Sequence, residues 1–193
     1  YPGMEGGTAV AGILYGEADP AGRLPFTWPK KLEDSPSHRL ATQDLDTVNY
    51  EEELMVGYRY FDTQEVEPQF PFGYGLSYTT FRYGRLRVSE KNGKVRGRIE
   101  IRNTGDRDGS QTVQIYVRPE RPSVTRPVHE LKAFEKLFLR AGERRTVEFT
   151  LPARAFSYYS ETEGRWVEDP GPYTIEAAAS SRDIRSTAQI DIK

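Results

Sequence analysis

The sequence has 193 residues, with 27 lysines and arginines against 29 aspartates and glutamates, two histidines and no cysteine. A formal charge of −2, with both signs mixed along the chain and no basic block, argues against nucleic acid or an anionic membrane as the main partner. The lack of cysteine excludes disulfides, thiol nucleophiles and zinc–thiolate sites, and no apolar stretch approaches the roughly 18 residues of a membrane span. Cysteine usage does not fix the compartment, so secreted, periplasmic and cytoplasmic locations all stay open.

Residues 1–7 (YPGMEGG) form a turn carrying one carboxylate, Glu5, and an apolar run follows at once over residues 8–15. Domains rarely start this way, because termini are usually polar and weakly ordered. The chain therefore reads as the rear portion of a larger protein, cut inside a domain. Thr8 is the expected N-cap of a short helix and Gly16 its expected stop. Ala9, Val10, Ala11, Ile13 and Leu14 cover nearly every face of that helix, so both sides are expected to be buried, by surface that the first 30 residues cannot supply.

Residues 30–80 are polar, then aromatic, with little periodicity. Residues 30–49 read as a long surface loop and 50–61 as extended or mixed. Residues 70–78 (FPFGYGLSY) form a glycine-punctuated aromatic segment. So long a structureless stretch is uncommon inside one domain, and a linker packed across two domains is expected.

From residue 81 the pattern changes to a period of two. Val95, Gly97, Ile99 and Ile101 alternate with charged residues. The same spacing recurs at Val113/Ile115/Val117, Val147/Phe149/Leu151, Tyr173/Ile175/Ala177 and Ala188/Ile190/Ile192, the mark of half-buried strands. Turn signals at Asn92-Gly93, Asn103-Thr104-Gly105, Ala141-Gly142, Glu163-Gly164 and Asp169-Pro170-Gly171 separate the runs. Together these predict a mainly β chain: an immunoglobulin or fibronectin III-like β-sandwich over residues 81–193. The expected divisions are residues 1–29 as the end of a preceding domain, 30–80 as linker and 81–193 as the sandwich.

Six segments in order resemble the C-terminal part of glycoside hydrolase family 3, the β-glucosidase and β-xylosidase family. They are residues 1–29 (YPGMEGGTAVAGILYGEADPAGRLPFTWP), 56–62 (VGYRYFD), 70–81 (FPFGYGLSYTTF), 103–117 (NTGDRDGSQTVQIYV), 126–134 (RPVHELKAF) and 164–173 (GRWVEDPGPY). The resemblance implies a (β/α)₈-type barrel and an α/β sandwich domain as the partner polypeptide. It makes residues 1–29 the terminal fragment of that α/β sandwich domain, ahead of a fibronectin type III-like domain. It implies retaining hydrolysis of terminal β-glycosides, most simply β-glucosides, by a barrel aspartate absent from this chain, and no cofactor. Alternative substrates are β-xylosides, α-arabinofuranosides and glycosylated natural products. Two positions depart from the family pattern: Glu53 and Ala133 each stand where glycine is common.

Retaining hydrolysis needs two carboxyl groups about 5–5.5 Å apart, one of them a protonated acid. Glu5 is the candidate acid/base, flanked by Gly3 and Gly6-Gly7, which permit close approach to a ligand. The acid/base of plant exo-glucanase members resembles the glutamate of this PGxEG turn. In members carrying a fibronectin III-like domain it more often comes from an earlier loop, in which case Glu5 is a loop glutamate at a helix start, where the dipole favours an anion. Asp19, in a DPAG turn, reads as structural. Glu51-Glu52-Glu53 reads as a solvated charge run, and His38 and His129 lack clustered partners at metal-ligand spacing. The aromatic rings, Trp28 and Trp166 among them, read as packing groups rather than sugar platforms. A non-catalytic sandwich that binds carbohydrate or protein is the competing function, and residues 1–29 weigh against it because such a module needs no buried-helix segment.

Overall fold

A computed structural model describes residues 3–38 and 46–193. Tyr1 and Pro2 of the opening turn, and residues 39–45 of the expected surface loop, lie outside the described residues. The first element is helix α1, Gly6–Leu14. It starts three residues before the expected site: Glu5, not Thr8, occupies the cap position without a side-chain cap bond, and the Thr8 hydroxyl instead lies 3.4 Å from the Glu5 carboxylate. Gly16, at φ +78°, sits just past the helix end as anticipated, because a left-handed residue there costs glycine little. The chain buries only Gly6 of α1, while Val10, Leu14 and Tyr15 stand exposed.

The segment expected to be extended or mixed over residues 50–61 runs into helix α2, Tyr58–Thr63. Six residues rich in aromatics make a poor autonomous helix, so this turn depends on packing: Phe61 is 2 % exposed. Glu53 has φ +49°, which gives the family's usual glycine at this position a physical reason.

Ten strands follow: β1 (Phe81–Tyr83), β2 (Arg87–Lys91), β3 (Lys94–Asn103), β4 (Gly109–Pro119), β5 (Glu130–Leu139), β6 (Arg144–Leu151), β7 (Ser157–Ser160), β8 (Arg165–Glu168), β9 (Gly171–Ser180) and β10 (Asp183–Ile192). In one sheet β3 is central, with β1 and β2 along one edge and β6 along the other. The second sheet has the order β10-β9-β4-β5, and β7-β8 is a separate hairpin. All pairings are antiparallel. Asn92 (φ +54°) and Gly93 (φ +68°) form the two-residue turn joining β2 and β3, where both central residues need positive φ.

The alternation read from the sequence becomes the core. On β3 Val95, Gly97, Ile99, Ile101 and Asn103 are buried and the residues between them exposed. Opposite them stand Val113, Ile115 and Val117 of β4, Tyr173, Ile175 and Ala177 of β9, and Leu137 and Leu139 of β5. Tyr173 acts as a tyrosine corner: its buried hydroxyl lies 2.6 Å from the Asp169 carbonyl and 3.0 Å from that of Phe156, pinning the entry to β9. Strand β5 escapes the alternation rule because exposed Phe134 and Phe138 blur its pattern, and a register shift opposite Ile115/Tyr116 breaks its period. Ala133, at the other departure from glycine, is an ordinary β5 residue paired with Ile115.

Strands β4 and β9 are buried on both faces. Gln114, Tyr116, Glu176 and Ala178 point away from the core, yet all four are buried. The residues that cover them come from the segment before β1 and from His129 between β4 and β5, and this covering creates the site described next.

Candidate functional site

Three of the motifs meet on the outer face of the second sheet. Residues 56–62 contribute Tyr58, Arg59 and Asp62 from α2; residues 126–134 contribute Arg126, His129, Glu130 and Lys132; residues 70–81 contribute Phe72 and Gly73. His129 is buried between two carboxylates, with Nδ1 2.7 Å from Glu176 and Nε2 3.1 Å from Asp62. Its ring stacks on Tyr116 at a centroid distance of 4.7 Å and meets Tyr58 edge-on. Arg182, in the β9–β10 turn, completes the group: its Nε donates to Asp62, and its Nη2 donates to the carbonyls of Phe61 (2.7 Å) and Val66 (2.9 Å). The arginine thereby ties the end of α2 to the sandwich.

A second charged cluster lies alongside. Glu130 accepts from Arg126 at 2.9 Å and pairs with Arg59 at 3.2 Å and Lys132 at 3.3 Å, while Arg126 also faces Asp169 at 3.6 Å. Backbone groups join the seam, with the Val128 N–H donating to Thr63 Oγ1 and the Leu131 N–H to Tyr58 Oη, both at 2.9 Å.

Electrostatics follow from burial set against partners. Burial alone would lower the His129 pKa, but hydrogen bonds to Asp62 and Glu176 outweigh it and raise the imidazole above its ordinary value. Burial would raise Asp62; hydrogen bonds with His129 and Arg182 win and hold it low. Glu130 is likewise held low, its burial outweighed by Lys132, Arg126 and Arg59. In both clusters the carboxylates are engaged by cations, so the arrangement suits a lock between segments better than a reacting centre.

Upstream, Asp19 performs the structural role expected of it. Its carboxylate accepts from Ser77 Oγ (2.8 Å), the Tyr78 N–H (2.7 Å) and the Ser110 N–H (3.2 Å), joining residues 17–22, the aromatic segment and β4. Arg23 reaches Gln111 of β4 at 2.6 Å, and Tyr78 Oη donates to the Ile13 carbonyl of α1 at 2.7 Å. Trp166 lies on β8, half-exposed, with Arg154 over its ring at 4.3 Å and Tyr159 edge-on. Among the described residues no group of three His, Asp or Glu side chains is arranged to hold a metal ion.

Glu5 stands apart from both clusters. It is exposed at the start of α1, where the Ala9 N–H bonds to its carbonyl, and its carboxylate has the Thr8 hydroxyl at 3.4 Å as its neighbour.

The family profile for the glycosyl hydrolase family 3 C-terminal domain matches residues 1–78, and that for a fibronectin type III-like domain matches residues 111–181. The chain belongs to glycoside hydrolase family 3. It is 41 % identical to a β-glucosidase of Bacteroides ovatus over 99 % of this chain and 27 % of that one. It is 42 % identical to an exo-α-(1→6)-L-arabinopyranosidase of Bifidobacterium longum over 97 % and 25 %. The crystal structure of the family 3 β-glucosidase of Bifidobacterium adolescentis superposes with a TM-score of 0.93 at 40 % identity, covering 97 % of this chain and 28 % of that one. The chain therefore spans about a quarter of the length of the family 3 relatives it matches, and corresponds to their C-terminal region.

The sequence reading found the motifs of this family 3 region but not what they do together. His129 has no clustered partners at metal-ligand spacing in the sequence, and its adjacent Glu130 turns to Arg126, Arg59 and Lys132 instead; Asp62 and Glu176 lie 67 and 47 residues away and arrive only through the fold. The one available signal was the shared charge of two motifs, GYRYFD and RPVHELK, each supplying acid and base.

Proposed function

We propose that this chain is the bracing C-terminal region of a retaining β-glycosidase that hydrolyses terminal non-reducing β-D-glucosyl residues. The chain contributes rigidity rather than the nucleophile. The observation that carries this role is the seam itself: two buried charged clusters and the Asp19 clamp fasten residues 17–80 to one face of the sandwich. Family membership and the β-glucosidase relatives support the activity. The partners on this reading are the barrel and α/β sandwich domains and a β-glycoside substrate. Residues 1–29 belong to the second of those domains, 30–80 connect, and 81–193 form the fibronectin type III-like domain.

Glu5 is the acid/base candidate of this reading, at the N-terminal end of α1, which favours a negative charge. Donating a proton near neutral pH requires another surface to cover it, because in this chain it faces solvent. An L-arabinopyranosidase among relatives of equal identity favours an α-L-arabinopyranoside as second substrate reading.

The deciding experiment is an assay of the complete enzyme and of this chain on p-nitrophenyl β-D-glucoside and p-nitrophenyl α-L-arabinopyranoside. Turnover of the glucoside by the complete enzyme, with none by the 193-residue chain, is expected. Turnover of the arabinoside alone moves the substrate reading; turnover by the isolated chain overturns the bracing role.

A further inference from the structure

The sheet opposite the seam carries a different chemistry. On β3 the outward positions are Lys94, Arg96, Arg98, Glu100 and Arg102, alternating with the buried core residues. Register places like charges side by side across the strands. Arg82 of β1 and Arg144 of β6 both face Arg102, and Arg87 of β2 faces Arg98. Like charges directly opposite each other destabilise a sheet. Glu100 and Glu148 are the carboxylates at outward positions of β3 and β6, and of the six arginines only Arg144 forms an ion pair among the described residues, at 3.8 Å to Glu100. The chain as a whole has a formal charge of −2, so this cationic face is segregated charge rather than a consequence of composition.

An open cavity of about 620 Å³ lies on this sheet, lined by Arg87, Arg96 and Arg98 together with Ser89, Glu148 and Thr150. The described seam residues pack on the other sheet rather than on this face.

We propose that the outer face of the sheet centred on β3 binds an acidic polysaccharide, seating its uronate carboxylates on Arg87, Arg96 and Arg98 and its hydroxyl groups on Ser89, Glu148 and Thr150. Planar guanidinium groups pair with carboxylates in a two-bond fork. Adjacent strands set neighbouring arginines about 4.8 Å apart across the sheet and about 6.8 Å apart along a strand, a two-dimensional grid for a linear polyanion. The interspersed hydroxyls and carboxylates decide between polyanions. Glu148 and Glu100 accept hydrogen bonds from sugar hydroxyls, which a polyuronate carries on every residue beside its carboxylate and duplex DNA lacks. The inference rests on the charges and hydroxyl groups of this face and not on the proposed activity; binding needs no turnover, so either can fail alone.

The test is isothermal titration of the full chain with de-esterified polygalacturonate, with neutral dextran and duplex DNA as comparisons. Polygalacturonate is expected to bind and to weaken as salt is raised, while dextran does not bind and DNA binds at least tenfold more weakly per charge. The triple variant Arg87→Gln/Arg96→Gln/Arg98→Gln should lose at least tenfold in affinity, and Arg96→Gln alone at least threefold. A control of the same net charge, Arg121→Gln/Arg140→Gln/Arg165→Gln, should bind like the parent. Thermal midpoints of the face variants at or above the parent's show that folding is intact, since opposed arginines are being removed. Unchanged affinity in the triple variant, an equal loss in the control, or DNA binding as tight as polygalacturonate overturns the proposal.

Discussion

His129 shows how much one side chain can hold when its partners come from three parts of the chain. Removing Asp62 leaves the buried His129 imidazolium with Glu176 as its one carboxylate partner and takes one partner from the exposed Arg182; breaking a buried pair from one side typically costs about 3–5 kcal/mol. Asp62→Ala should therefore lower the denaturant midpoint substantially without changing the cooperativity of unfolding. The pH dependence has a defined sign. The folded pKa of His129 lies above the unfolded value of about 6.5, so its stabilisation is complete below that pH and is lost as pH rises through the folded pKa. Asp62 is shifted the other way, and its contribution disappears only as pH falls through its lowered pKa. Urea melts from pH 6 upward should show the parent losing stability with rising pH and His129→Leu losing much less; parallel curves would remove His129 from the lock. Glu5 makes a separate prediction in the complete enzyme. If it donates the proton, Glu5→Gln should slow substrates with poor leaving groups far more than activated aryl glycosides, which azide should partly rescue. Equal, mild losses on both would assign the acid to another residue.

At the scale of elements, the aromatic segment over residues 70–78 works because one backbone position comes unusually close to β4. Gly73 has φ +80°, and a Cβ there would lie 2.3 Å from Gln114 Oε1. Gln114 has no free rotamer to yield: its amide donates to the Ala179 and Gly73 carbonyls, and its Oε1 accepts from Tyr116 Oη at 2.6 Å. Gly73→Ala should therefore cost about 1–3 kcal/mol, through both the crowding and the left-handed backbone. Calorimetry of the variant checks this, and a loss below a few tenths would mean the segment can shift without breaking the Gln114 bonds. The same packing explains why α2 is helical although its sequence does not advertise a helix: Phe61 is buried and Arg182 closes its C-terminal carbonyls.

Across the whole molecule, protection should be uneven. Strands β3, β4 and β9 share a continuous buried core, whereas α1 buries Gly6 alone and leans on the sandwich through the bond from Tyr78 to the Ile13 carbonyl. In the isolated chain, amide hydrogen exchange in α1 should be faster by orders of magnitude than in β4 and β9. Comparable protection would show that α1 finds shelter within these 193 residues. The two sheets also divide the surface: one outer face is covered by the preceding segment, the other is open and cationic.

The sequence by itself determined the sandwich, because a period of two with polar residues between leaves one face to bury; β3 follows that rule residue by residue. It also determined the turns, where Asn92-Gly93 supplies the positive φ that a two-residue hairpin needs. What only the tertiary structure decided is which polar residues lie inside and which charges share a face. Glu176 and Gln114 sit at outward strand positions that local pattern assigns to solvent; Gln114 is buried under Gly73, 41 residues earlier, and Glu176 under His129, which Asp62 holds in place. The arginines of β1, β2, β3 and β6 look like dispersed surface charge along the chain and become one array when antiparallel register sets them in rows. Alternation is a local property of backbone geometry, whereas burial of a polar group and the field of a face are sums over residues that only the fold brings together.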